Sequence, residues 1–183
     1  MRCIELSMRS IGVLEVCIYG DKIREIRVRV GVDGVHKSID DDVTRLIIDY
    51  IMGLLDPQEV IKHIELSPGL LGLAQVAMLS IPRGRVATYA QIARLLNTSP
   101  RAVGRLASAN KLPIIVPCHR VIKSDGSVGG YSIGDATIKS KLLEMEGVPV
   151  INGRVPRSYV VDDATLMRNF KNLLRLTSEN TFI

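Results

Sequence analysis

The chain has 183 residues, of which 46% are hydrophobic and 23% charged, as in ordinary globular proteins. Its three cysteines are too few and too irregularly spaced for a disulfide framework, so we expect a reducing, cytoplasmic setting. A secretion signal and a long uncharged apolar stretch are both absent from the sequence, so we expect no membrane span. The net charge of +5 favours a polyanionic partner such as nucleic acid.

The N-terminal third predicts a small α/β unit. Alternating apolar residues predict a strand over Gly12–Tyr19 and another over residues 26–30, joined by a turn into a hairpin. An aspartate run, Asp40 to Asp42, offers N-caps for a helix that continues to about residue 55. Residues 56–68 contain two prolines and read as the join to the rest of the chain.

The middle of the chain predicts a helix-turn-helix. An apolar helix over residues 70–79 comes first, and Thr88 then caps a helix over residues 89–96. Residues 97–99 form a tight turn, and Pro100 suits the first turn of a helix ending near residue 110. Two further helices are predicted over residues 137–146 and 162–176, the last with one apolar stripe.

Cys118 lies in the run Pro117-Cys118-His119-Arg120, which has apolar residues on both sides. A thiol, an imidazole and a guanidinium in one buried segment each need a partner, because unpaired buried polar groups are costly. Such a segment is consistent with a reactive cysteine. The alternative is a structural cysteine beside a core histidine, since a free cysteine is often simply buried.

Metal and phosphate-loop chemistry are not indicated. The sequence has no CxxC motif, its three histidines (His36, His63 and His119) are scattered, and no spacing matches a zinc site. The glycine-rich segment over residues 126–130 lacks the Gly-Lys-Ser/Thr ending of a P-loop.

Several motifs between residues 81 and 147 resemble, in order and spacing, the O6-alkylguanine-DNA alkyltransferases, which repair DNA by direct reversal. The matching motifs are Ile81-Pro82-Arg83-Gly84, Thr88-Tyr89, Arg101-Ala102-Val103-Gly104, Asn110, Pro113, Pro117-Cys118-His119-Arg120-Val121, Gly129-Gly130-Tyr131-Ser132 and Glu146-Gly147. The N-terminal part is similar only in outline, and the last thirty-odd residues lie outside the match.

The resemblance implies a fold in two parts and a tail. Residues 1–66 would form an α/β domain with a ribonuclease-H-like sheet. Residues 67–150 would form a mainly α, winged helix-turn-helix-like domain that binds DNA and carries the acceptor cysteine, and residues 151–183 a tail with one helix. The implied activity is that of a methylated-DNA–protein-cysteine methyltransferase, which acts once and needs no cofactor.

The resemblance also implies roles for individual residues. Cys118 would be the nucleophile, His119 its base through a bridging water, and Glu146 the group that orients the histidine. Tyr89 would donate to the guanine ring, and Asn110 would hold the cysteine loop. The implied substrate-binding residues are Pro113, Val121, Tyr131, Ser132 and Ile133. The implied DNA-binding residues are Arg101, Ala102, Arg105 and Arg120.

The implied partner is double-stranded DNA carrying O6-alkylguanine, bound through its minor groove by a monomer. Arg101 would fill the space left by the flipped nucleotide. Ile133 stands where several relatives have glycine, so a bulky substituent such as benzyl should be disfavoured. Some family members hold zinc in the N-terminal domain, but Tyr19 and Arg24 fall near where other ligands would be, so we expect no metal.

Three rival interpretations remain at this point. The chain could be a winged-helix regulator with a structural cysteine, which would gain no mass from alkylated DNA. It could be a Cys-His hydrolase, although adjacent residues make a poor nucleophile–base pair. A branch of the resembling family keeps the DNA-binding body without the cysteine, and Cys118 argues against that branch.

Overall fold

The computed structural model describes residues 1–8, 11–31 and 42–181. An antiparallel sheet of three strands, β1 (Arg2–Met8), β2 (Gly12–Tyr19) and β3 (Lys22–Val30), begins the chain in the order 1-2-3. The predicted strand over Gly12–Tyr19 and its hairpin are confirmed, although β3 begins earlier than predicted. The sequence analysis did not predict β1, which pairs with β2 along its whole length.

The sheet is amphipathic in the way that its alternation requires. In β3, Ile26 is buried and Arg27 next to it is exposed. Ile23, three positions before Ile26, is also buried, because the pairing of β2 with β3 shifts register between Cys17 and Ile18. The central strand β2 is buried along most of its length, because it has a neighbour on each side.

The buried residues of the sheet and those of the first helix, α1 (Asp42–Met52), belong to one hydrophobic cluster. The predicted caps Asp40 and Asp41 lie outside the described residues.

The segment over residues 56–68 is folded. It contains the short helix α2 (Pro57–Val60) and a 3-10 turn (Ile61–His63). Val60 and Ile61 are buried, and Ile64 forms a parallel bridge with Ile23 of the sheet. This stretch was expected only to connect two parts of the chain, but its buried residues are part of the core.

The helices of the central part follow the prediction closely. They are α3 (Gly69–Leu79), α4 (Tyr89–Leu95), α5 (Pro100–Ser108) and α6 (Ala136–Met145). Thr88 caps α4 in a reciprocal capping box with Gln91, and Ser99 caps α5 by accepting from Ala102 N at 3.2 Å. Two short parallel strands, β4 (Ala87–Thr88) and β5 (Val121–Ile122), lie beside these helices.

The last helix, α7 (Asp163–Thr181), closes the fold and is longer than predicted. Its predicted apolar stripe is confirmed, because Leu166, Phe170 and Leu173 are buried. One continuous hydrophobic cluster contains residues of the sheet, of the central helices and of α7. None of the helices in the described ranges combines the length and the apolarity that crossing a bilayer demands.

The cysteine prediction needs a correction. Cys3 and Cys17 face each other across β1 and β2 and form a disulfide, with their Cα atoms 4.1 Å apart. Strand pairing brings together two residues that are 14 positions apart, and the sequence spacing did not reveal this. The Glu15 carboxylate lies within 4.8 Å of both sulfur atoms. Sulfurs joined to each other present no thiolate, so these residues do not fit the zinc site of some relatives.

Candidate active site

Cys118 opens a 3-10 turn (Cys118–Arg120) that connects a buried loop to β5. Only 3% of the residue is exposed. Its backbone N–H donates to the Val116 carbonyl at 2.8 Å, and its sulfur accepts from Asn110 Nδ2 at 3.7 Å. The thiol is therefore fixed by its own loop and by one amide from the end of α5.

Asn110 organises that loop. Its Oδ1 accepts from Leu112 N at 3.2 Å and from Gln75 Nε2 at 3.1 Å, while its Nδ2 also donates to the Val116 carbonyl at 3.3 Å. The loop contains Ile114 at φ +73°, a conformation that β-branched residues rarely adopt. Such strain persists only where the surroundings hold the backbone, and the buried amides of Asn110 and Gln75 do so here.

His119 is fully buried and hydrogen-bonded to Glu146, with Nε2 and Oε1 2.9 Å apart. Burial lowers the pKa of His119, although the carboxylate opposes this effect. A neutral imidazole that donates from Nε2 keeps a lone pair on Nδ1. That Nδ1 atom has no hydrogen-bond partner among the described residues, so it is available to accept a proton.

The expectation that Arg120 contacts DNA needs correction. The residue is only 4% exposed, and its guanidinium binds the Glu146 carboxylate through two nitrogens, at 2.7 and 2.9 Å. A third nitrogen donates to the Ile81 carbonyl at 2.7 Å. Burial alone would raise the pKa of Glu146, but its contacts with His119 and Arg120 hold it well below its usual range. Arg120 thus keeps Glu146 ionised and oriented.

Lys139 is a site residue that the sequence analysis missed. It is fully buried in α6, and its Nζ donates to the Val121 carbonyl at 2.6 Å. The same Nζ lies 5.6 Å from the centre of the Tyr89 ring. Burial lowers its pKa to about 8. Its position on the apolar side of α6, with Leu142 and Leu143 at i+3 and i+4, was the available signal.

A small cavity adjoins the thiol. Its volume is about 20 Å³, which is enough for about one water molecule. The residues that line it are Tyr89, Gly104, Ala107, Ser108, Cys118, Gly130, Tyr131, Ser132 and Lys139. A purine base needs more room, so this cavity must widen before a base can reach Cys118.

The surroundings of Cys118 keep its thiol protonated. Burial raises the pKa of Cys118, while Asn110, Tyr131 and the Lys139 cation act in the opposite direction. The Tyr131 hydroxyl is buried beside the thiol without a well-aligned hydrogen bond, and burial raises its pKa as well. Three groups that favour a thiolate therefore surround a sulfur that burial holds in the neutral form.

The remaining predicted residues are placed as follows. Tyr89, Tyr131 and Ser132 line the cavity beside Cys118, whereas Ile133 is half-buried outside that lining, and Pro113 is buried. Val121 is buried, and its carbonyl is the acceptor of the Lys139 bond. On α5, Arg101 and Arg105 are exposed, and Ala102 between them is half-buried.

Comparison with known proteins adds independent findings. The family model of the 6-O-methylguanine DNA methyltransferase DNA-binding domain matches residues 74–148. The chain is 46% identical over 114 residues to a methylated-DNA–protein-cysteine methyltransferase of Pyrobaculum aerophilum, which covers 61% of this chain and 73% of that protein.

Two solved structures are similar over most of this chain. The Mycobacterium tuberculosis OGT in complex with DNA has a TM-score of 0.64 and 26% identity, covering 90% of this chain and 98% of its own. The O6-methylguanine-DNA methyltransferase of the hyperthermophilic archaeon Pyrococcus kodakaraensis has a TM-score of 0.62 and 28% identity, covering 80% and 98%.

Proposed function

Because this chain belongs to the methylated-DNA–protein-cysteine methyltransferase family, we infer that it repairs alkylated DNA by direct reversal, transferring the alkyl group to Cys118. The observation that carries this assignment to a residue is the buried thiol of Cys118, which adjoins the cavity and directly precedes the His119–Glu146 pair. Of the three cysteines, the other two are joined in a disulfide, so Cys118 is the free thiol.

The proposed reaction is a displacement at a saturated carbon. The Cys118 thiol gives its proton through a bridging water to Nδ1 of His119, and the sulfur forms a bond to the alkyl carbon. The carbon–oxygen bond breaks, and its electrons remain on O6 of guanine. Glu146 then stabilises the imidazolium, and Arg120 keeps Glu146 in place.

Tyr89 would protonate the departing guanine on its ring nitrogen, and Lys139 would offset the charge that this leaves on the phenolate. The Tyr131–Ser132 turn would contact O6 of the guanine.

We also propose that Lys139 favours the thiolate once the base has entered, because its Nζ contributes a positive charge near the sulfur. Every proton and the alkyl group have an acceptor in this scheme, so it needs no cofactor. The thioether product is not hydrolysed at neutral pH, so each molecule acts once.

Binding to duplex DNA would use α4 and α5 as a winged helix-turn-helix in the minor groove. Arg101 and Arg105 are exposed on α5, where they can reach DNA. We propose that Arg101 fills the stack after the nucleotide has flipped, which costs a few kcal/mol in unstacking. Flipping also explains how a base could reach a thiol that is buried beside a small cavity. We expect the complex to weaken with added salt.

For the domains, we propose a ribonuclease-H-like N-terminal domain over residues 1–66, a DNA-binding domain over residues 67–150 and a C-terminal tail over residues 151–183. We propose that the chain acts as a monomer. We also propose a cytoplasmic location. The disulfide does not exclude it, because intracellular proteins of hyperthermophilic archaea are often rich in disulfides.

The test is intact-protein mass spectrometry after mixing with duplex DNA that carries O6-methylguanine. Wild-type protein should gain the mass of one CH₂ group, located on Cys118 by peptide mapping. Cys118→Ser should gain none while still binding DNA, because a hydroxyl of similar size is a far poorer nucleophile. A wild type without mass gain would favour a regulator, and a modified serine variant would place the acceptor elsewhere.

A further inference from the structure

A second and larger cavity lies among α1, α2, α3 and α7. Its volume is about 370 Å³, which exceeds that of the cavity at Cys118. We call it the α7 cavity. The residues that line it are Tyr50, Gly53, Leu55, Asp56, Pro57, Gln58, Leu79, Ser80, Pro82, Arg83, Arg120, Asn169, Asn172 and Leu173. Cys118 and His119 are not in this lining, so the proposed transfer reaction does not use the space.

The strongest polar feature of the α7 cavity is the Tyr50 hydroxyl. Tyr50 is only 6% exposed, and its oxygen has no well-formed hydrogen bond within the part of the chain that the structure describes. Burial raises the pKa of Tyr50 to about 12, so the group stays protonated and can donate. The Arg120 guanidinium lies near the Tyr50 oxygen, but a guanidinium can only donate. The buried O–H of Tyr50 therefore still needs an acceptor, and leaving it without one is unfavourable.

Two guanidinium groups, those of Arg83 and Arg120, line the α7 cavity. An arginine carries five N–H donors, and the bonds of Arg120 to Glu146 and Ile81 use three of them. Arg83 donates to the Ile51 carbonyl at 2.9 Å and to the Met145 carbonyl at 3.5 Å, and its Nη1 lies 3.8 Å from Oε1 of Glu146. These contacts still leave N–H groups over. Both side chains therefore retain donors.

The C-terminal helix completes the wall with amides. Asn169 donates to the Ser80 carbonyl at 3.1 Å, which ties α7 to the end of α3, and Asn172 lies one turn further along.

Of the described lining residues, Asp56 alone is acidic, and it is exposed. Glu146 lies outside this lining, and its carboxylate neutralises part of the charge of Arg83 and Arg120. Because two guanidinium groups share this one carboxylate, the buried part of the cavity still offers mainly donors and a surplus of positive charge.

We propose that the α7 cavity binds a small organic molecule through an oxyanion head group, a phosphate or a carboxylate. The Tyr50 hydroxyl and the spare N–H groups of Arg83 and Arg120 hold the anion, since charge-assisted bonds to guanidinium are the favoured way to bind such groups. The volume leaves room for a body beyond the head group. The leucines of the lining, at positions 55, 79 and 173, would contact that body.

The test is isothermal titration calorimetry of the full chain with inorganic phosphate and, separately, with acetate. A chloride salt keeps the ionic strength constant. Asn172→Asp adds a carboxylate to the wall and should weaken binding roughly fivefold or more by charge repulsion. Asp56→Asn removes a carboxylate and should strengthen binding. Asn152→Asp makes the same charge change at an exposed residue outside the lining, so it should leave affinity nearly unchanged.

Tyr50→Phe provides an independent check, because it deletes only the hydroxyl. It should lower affinity while thermal unfolding stays cooperative. Tighter binding of phosphate than of acetate assigns a phosphate head group, and the reverse order assigns a carboxylate. If neither phosphate nor acetate shows saturable binding to the folded wild-type protein, the proposal is overturned. Equal effects of Asn172→Asp and Asn152→Asp overturn it too, since they would show a response to overall charge alone.

Discussion

The N-terminal sheet and the reactive site use the same kinds of charged residue in opposite ways. On the sheet, Arg29 pairs with Glu5 on the surface, and both side chains are about half exposed. At the reactive site, Arg120 pairs with Glu146, and both side chains are less than one tenth exposed. Water and salt screen the first pair. In the second pair each ion is buried and depends on the other. The comparison therefore separates exposed charges, which contribute little to stability, from buried charges, which orient the groups around Cys118.

The largest effect is expected from Glu146→Gln. The change is nearly isosteric, but it leaves the buried Arg120 cation without its counter-ion and weakens the acceptor of His119. Removing one partner of a buried pair typically costs about 3–5 kcal/mol. Urea unfolding followed by circular dichroism should show this loss. The rate of transfer to Cys118 should also fall, because His119 loses its ionised partner. A loss below about 1 kcal/mol would mean that Arg120 finds another partner and that the two regions do not differ as proposed.

The next effect concerns the disulfide of the sheet. Closing a loop of about 15 residues is worth about 3 kcal/mol in the chain-entropy model, and Cys3 and Cys17 are 14 positions apart. Replacing both cysteines by alanine should therefore lower the free energy of unfolding by up to that amount. Transfer to Cys118 should be unchanged, because neither cysteine lines its cavity. Denaturant unfolding and the mass assay measure the two readouts. A variant that loses transfer while remaining folded would show that the sheet acts on the reactive site.

Lys139 provides a pH-dependent test of a buried charge. Its pKa falls from 10.5 to about 8 in the folded chain, so the unfolded chain binds more protons between these values. Stability from this group therefore increases as the pH rises from about 8 towards 10.5. The free energy of unfolding of wild type, relative to Lys139→Met, should rise by about 1–2 kcal/mol between pH 7.5 and 9.5. Taking the difference removes contributions common to both proteins, including those of the tyrosines. A flat difference would show that Lys139 is not a desolvated cation.

The same variant should transfer the alkyl group more slowly at neutral pH. Methionine keeps the bulk of the side chain but removes the positive charge near Cys118 and Tyr89. Lys171→Met is the matched control, because Lys171 is exposed, does not line the Cys118 cavity and is not among the charges that act on Lys139. Equal rates for the two variants would reduce Lys139 to a packing role.

The two regions also differ in how far the sequence predicted them. Local signals such as the Thr88 cap and the Cys118 motif led to elements and residues that the structure brings together. Features that depend on pairing distant segments were missed, among them β1 and its disulfide. Arg120 was placed in a buried segment by its apolar flanks, and the resemblance gave it a DNA contact. The sequence did not reveal its partner, because Glu146 lies 26 positions away. Gln75 was read as part of an apolar helix, although it binds the amide that holds the cysteine loop.

The smallest effect is expected from Glu5→Gln, which makes the same chemical change as Glu146→Gln on the exposed sheet. The variant loses the ion pair with Arg29. It also loses a repulsion, because Glu5 lies directly opposite Glu15 in the pairing of β1 with β2. These contributions have opposite signs, and exposed pairs are worth at most about 1 kcal/mol. The free energy of unfolding should therefore change by less than about 1 kcal/mol, and the change should shrink further in high salt. Unfolding in urea at low and high salt measures both quantities. A cost as large as that of Glu146→Gln would remove the distinction between the two regions, since it would show that exposure does not decide what these charges contribute.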